Sequence, residues 1–86
     1  MGWMPWNAWR DENRNIQPDL RGADLSGAKL YEANLYGAKL CKTNLYGANL
    51  HLANLTKADL YEANLRGANF TDANLCRAIL NETFLN

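Results

Sequence analysis

The chain has 86 residues, 48% of them apolar, and its nine basic and nine acidic side chains balance to a formal charge of zero. That length allows one small domain, and the apolar content is too high for a disordered tail. Zero net charge removes the simplest arguments for a nucleic-acid-binding basic patch or a bulk acidic mimic. No run approaches the ~20 apolar residues of a membrane span, and no basic-then-apolar leader opens the chain.

Residues 1–17 differ from the rest. They contain Trp3, Trp6 and Trp9, with Met1 and Met4. A spacing of three puts the tryptophans on one side of a helical or 3₁₀ turn, and Pro5 suits a first turn. The segment is expected to fold as a cap over the start of the domain formed by residues 18–86. A sticky peptide for a partner or a membrane interface, or a disordered arm, are the competing readings. Asp11 to Asn15 is polar and reads as a linker.

From residue 18 a five-residue period runs through the chain. Its centres are Leu20, Leu25, Leu30, Leu35, Leu40, Leu45, Leu50, Leu55, Leu60, Leu65, Phe70, Leu75, Leu80 and Leu85. Two residues before each centre stands Ala, except at Pro18, Thr43 and Thr83. Between them lies a polar residue, most often Asn. Gly recurs two residues after the centre, as in Gly22, Gly37 and Gly47.

A period of five forms no stripe on a helix that turns ~100° per residue. It does fit a short extended stretch followed by a corner. Ala and Leu, two apart, then point inward, and the residue between them points outward. Gly suits the corner. One unit cannot bury its own Leu, but stacked coils of units can, and stacking also pairs the backbone groups.

The runs Ala-Asn-Leu-Tyr-Gly (33–37), Ala-Asp-Leu-Tyr-Glu (58–62) and Ala-Asn-Leu-Arg-Gly (63–67) resemble the pentapeptide repeat proteins, whose unit is A(D/N)LXX. The resemblance covers residues 18–86. It implies an all-β fold: a right-handed quadrilateral β-helix with four units per coil, here about three and a half coils, with the N-terminal cap before it.

Four units per coil stack residues twenty apart. Asp19, Lys39 and Asp59 then form one column, Lys42, Glu62 and Glu82 another, and Lys57 and Arg77 stack like on like. Asn34, Asn54 and Asn74 form an amide column expected to hydrogen-bond along its length. Tyr31, Tyr36, Tyr46 and Tyr61 fall on four different faces, which argues against a nucleic-acid stacking platform. Thr56 and Thr71 form no array.

Chemistry is sparse. Cys41 and Cys76 are expected to be free thiols in a reducing, cytoplasmic compartment. The single His51 has no second ligand for a metal and no carboxylate or nucleophile at a matching position. No phosphate- or dinucleotide-binding glycine pattern occurs, so no cofactor is expected. A core filled by Leu and Ala leaves no pocket for an enzyme.

The last units change character. Ile79 and Phe84 replace the outward Asn or Asp. Beside them Leu80 and Leu85 would lie at an open edge, so Ile79, Phe84 and Leu85 are candidate interface residues. A second copy meeting end to end is the simplest partner, and the topoisomerase-inhibiting members of the resembled family, joined near their C-termini, add to that expectation. The reading is a non-enzymatic structural or protein-interaction module. The alternative carried by the resemblance is a DNA-mimicking gyrase inhibitor. The repeat region's seven acids and seven bases count against it.

Overall fold

The computed structural model describes residues 4–85, so Trp3 lies outside the described residues. One helix, α1 (Met4–Glu12), is followed by a chain of corners and single bridging residues. Pro5 sits in the first turn of α1, where its missing N–H costs nothing. Asp11 and Glu12, read from sequence as linker, complete the helix instead. Their side chains point to solvent, so their polarity does not interrupt the backbone.

The β pairing is unusual in kind. Each residue just before a centre pairs in parallel with the residue twenty positions later, from Asp19 with Lys39 through Asn64 with Phe84. The register gives four residue columns: 19-39-59-79, 24-44-64-84, 29-49-69 and 34-54-74. We call the faces that carry them the first to the fourth. Among the described residues no continuous strand forms, which qualifies the all-β expectation. The reason is that a corner follows every three residues, so each unit contributes one bridge and no ladder.

The corners share one geometry. The residue two after the centre has positive φ at all thirteen corners from Gly22 to Glu82. The carbonyl of each centre accepts the N–H three residues on, as in Ala23 N–H to Leu20 O at 3.1 Å and Ala53 N–H to Leu50 O at 3.0 Å. Positive φ at the third position of a four-residue turn is the type II pattern. Glycine adopts it freely at Gly22, Gly27, Gly37, Gly47 and Gly67. Eight other corners place Glu, Lys, Leu, Asp or Arg there, including Leu52 at φ 60°. The stacking of coils over-determines the conformation and carries that strain.

Every N–H of a unit has a destination, and this explains the sequence pattern. In the unit centred on Leu45, Thr43 N–H closes the preceding turn on Leu40 O (3.1 Å), and Asn44 N–H reaches down to Ala23 O (2.9 Å). Leu45 N–H reaches up to Asn64 O (2.8 Å), and Gly47 N–H to Arg66 O (2.9 Å). The fifth donor, Tyr46 N–H, is left without a backbone partner and bonds Asn44 Oδ1 at 3.0 Å. The same short loop from Asn or Asp to the N–H two residues on recurs at ten corners. An Asx loop of this kind needs an acceptor oxygen on a short side chain, which Asn and Asp supply. This corrects the expected amide ladder: the Asn oxygens bond within their own unit and not along the column.

The core is the inward Ala and Leu set. Leu35, Leu40, Leu45, Leu50, Leu55 and Leu60 are fully buried, with Ala33, Ala38, Ala53, Ala58 and Ala63 between them. Each such Leu contributes roughly 1.5–3 kcal/mol by burial. Thr43, which stands where Ala is usual, is also fully buried, and its Oγ1 donates to Leu20 O at 2.8 Å. Thr83 repeats this with Leu60 O at 2.9 Å. The hydroxyl is therefore accommodated without an unpaired buried group.

Candidate interaction surfaces

The two ends of the coil are where the backbone pairing stops. At the first coil, the N–H and C=O that a preceding coil would satisfy are exposed on each face. On the fourth face α1 replaces that coil with side chains. Asn34 N–H donates to Asn7 Oδ1 at 2.7 Å, while Asn34 O accepts Trp6 Nε1 at 2.7 Å and Arg10 Nε at 3.3 Å. Asn7 Nδ2 donates to Glu32 O at 2.9 Å, and Gln17 Nε2 to Gly37 O at 3.2 Å.

Arg10 is the centre of this arrangement and is only 3% exposed. Its Nη2 donates to Tyr36 O (2.8 Å) and its Nη1 to Ile16 O (2.8 Å) and Asn13 O (3.4 Å). A buried guanidinium thus ties helix, connecting turn and first coil together through carbonyls alone. Nothing in the sequence pattern marks Arg10. Its signal is a lone basic residue in the last helical turn, which reads equally well as helix-dipole pairing.

Of the three tryptophans expected in the cap, Trp6 lies against the first coil. It is half-buried against the core, and a cavity of about 50 Å³ lies between it and Leu20, Leu25, Leu30 and Leu35. Trp9 stacks on Trp6, ring centres 5.5 Å apart, but is 40% exposed. Trp3 is outside the described residues.

The last coil has no such cover among the described residues. Ile79, Phe84 and Leu85 are each about half exposed (46%, 46% and 51%), and Leu80 is also exposed. The Arg66 guanidinium lies 4.8 Å over the Phe84 ring and shields one side of it. The N–H groups of Leu75, Leu80 and Leu85 have no backbone partner among the described residues. The three predicted interface residues are all exposed on the last coil, Ile79 on the first face and Phe84 with Leu85 on the second.

The remaining polar groups have structural employment. His51 Nδ1 lies 3.1 Å from Thr71 O and, facing a carbonyl, donates to it from one coil to the next. Cys41 and Cys76 are free thiols. Burial pushes the Cys41 thiol up, helped by its hydrogen bond to Asp59, which disfavours the thiolate. Asp19 is held near 2 by the Arg21 guanidinium, which meets both its oxygens at 2.8 and 2.7 Å. Tyr36, Tyr46 and Tyr61 are exposed on different faces. Among the described residues no group of three metal-ligating side chains forms, and no helix is long and apolar enough to cross a membrane.

Known proteins give this architecture a family. The pentapeptide repeat family model matches in 8 copies over residues 19–56, 33–72 and 68–86. A pentapeptide repeat protein from Nostoc is 41% identical over 83% of this chain and 64% of its own, with a TM-score of 0.72. One from the cyanobacterium Cyanothece is 40% identical over 79% of this chain and 43% of its own, with a TM-score of 0.61. One from the Arabidopsis thaliana thylakoid lumen is 29% identical over 84% of this chain and 50% of its own, with a TM-score of 0.77. The chain therefore spans about half the length of these solved relatives. No curated protein matches it. With its repeats matched from residue 19 to 86 and its coil shared with these structures, the chain belongs to the pentapeptide repeat family.

Proposed function

We propose that this chain is a right-handed quadrilateral β-helix acting as a non-enzymatic protein-interaction module, and that its last coil docks a second copy. The observation that carries this reading is the apolar edge of Ile79, Leu80, Phe84 and Leu85, exposed beside unpaired backbone N–H groups. Apolar surface next to an open β edge is where another chain gains most by binding. Two copies related by a two-fold axis satisfy both edges with one kind of contact. A core filled by Leu and Ala supports a role without catalysis. Free thiols fit a reducing compartment such as the cytoplasm. The balanced charge of the repeat gives no support to the DNA-mimic alternative.

The test is the mass in solution. Sedimentation equilibrium should give a dimer for the parent chain and a monomer for Phe84→Asp, which puts a charge in the edge. Equal masses for the two would end this reading of the C-terminal coil.

A further inference from the structure

A groove of about 360 Å³ separates α1 from the fourth face, lined by Arg10, Asp11, Arg14, Asn34, Tyr36 and Asn54. Its wall is rigid, because the buried Arg10 is fixed by carbonyls of helix, turn and coil. Arg14 lines the groove, and beyond its lining Lys57 and Arg77 follow at the corners after Asn54 and Asn74; all three are exposed and paired with no carboxylate among the described residues. Lys57 Nζ rests 5.7 Å over the Tyr36 ring, and Arg77 occupies the corner one coil further on. Elsewhere Arg21 engages Asp19 and Lys42 engages Glu62, while Lys29, Lys39 and Arg66 form no ion pair among the described residues but lie singly on the other faces. Stacking Lys57 beneath Arg77 sets like charges side by side, which is mildly unfavourable.

The neutral part of this face is also one-sided. Asn34, Asn54 and Asn74 each spend their oxygen on the turn that comes next. Their Nδ2 groups donate to nothing among the described residues, so the column offers hydrogen-bond donors to solvent. Cations and amide donors without acceptors match carboxylates. Asp11 is the one acid in the lining, and it sets the polarity: carboxylates gain most toward Lys57 and Arg77.

We propose that this groove binds an extended acidic peptide segment of a partner protein. The proposal rests on the reading of the chain as an interaction module but uses a different surface from Ile79 and Phe84. A peptide is favoured over a nucleic acid because the cations are few, Asp11 opposes a phosphate chain, and Tyr36 is already covered by Lys57 and offers no face for a base.

The probe is a fluorescein-labelled octaglutamate peptide, followed by fluorescence anisotropy at low salt. The parent should bind it, and Lys57→Glu/Arg77→Glu should weaken binding by about tenfold or more, since two attractive charges become repulsive. Lys29→Glu on the third face should leave affinity within about twofold, and Asp11→Asn should tighten it. All four positions lie outside the core, and circular dichroism checks that the variants keep the parent's fold. The proposal fails if the parent does not bind, if the double reversal binds as well as the parent, or if an oligothymidylate of equal length binds tighter. Sedimentation of the same samples separates the two readings. Absent peptide binding with an intact dimer overturns the groove alone, whereas absence of both overturns the module.

Discussion

The two ends of the coil meet the same physical problem in opposite ways. On the fourth face of the first coil, Trp6, Asn7 and Arg10 supply the hydrogen bonds that a missing coil would have made, and Leu30 is 2% exposed while Leu20 and Leu25 stay half-buried. At the last coil nothing among the described residues does so, and its centre Leu80 is 37% exposed. A solenoid's core thus ends where its backbone pairing ends. Covering one face of an open edge takes only a few well-placed side chains on one short helix.

The sharpest way to break this contrast is to truncate one core leucine at each end. Leu30→Ala should cost about 2–5 kcal/mol in urea unfolding, whereas Leu80→Ala, already wetted, should cost about 1 kcal/mol or less. Equal costs would mean that the first coil is not closed by α1. Next in size is Arg10→Ala, which removes a buried charge and its bonds to four carbonyls. It should cost about 1.5–3 kcal/mol and free α1, read as faster amide exchange at Asn34.

The smallest effect lies in acid. Asp19 titrates near 2 when folded against an ordinary 3.8, because Arg21 holds its charged form. Its folded pKa is depressed, so its contribution is present above about pH 4 and is lost as pH falls from there toward 2. Arg21→Ala should flatten the acid limb of a stability profile over that window by slightly lowering stability above about pH 4 and leaving it unchanged below about pH 2, a small effect because the pair is solvent-exposed.

Much of the fold is legible in the sequence because the period is physical. Leu and Ala two apart must share a side of an extended backbone, and the twenty-residue register follows once four units close a coil. The observed columns, Asp19 with Lys39 and Asn34 with Asn54, fall in that register. The role of Asn is not legible in the same way. Stacking suggests a ladder, while the unpaired N–H two residues on is visible only once every donor has been traced. Leu52 is opaque for a related reason: a bulky residue at positive φ contradicts local preference, and only the coils above and below impose it. Ile79, Phe84 and Trp6 stand out as breaks in pattern. Arg10 does not, because its partners are carbonyls 24 and 26 residues away, which no side-chain pattern encodes.

Because every unit closes its own turn and bonds only to the neighbours directly above and below, the protein's length is quantised. Excising twenty residues from the middle, 40–59 for instance, would shorten the rod by one storey and leave α1 and Phe84 at the same angular positions. Excising five would rotate everything beyond the cut by a quarter turn and shear each vertical charge pair from its mate. Evolution or an engineer can therefore reset the distance between the two ends in steps of about 4.8 Å without touching the chemistry of either.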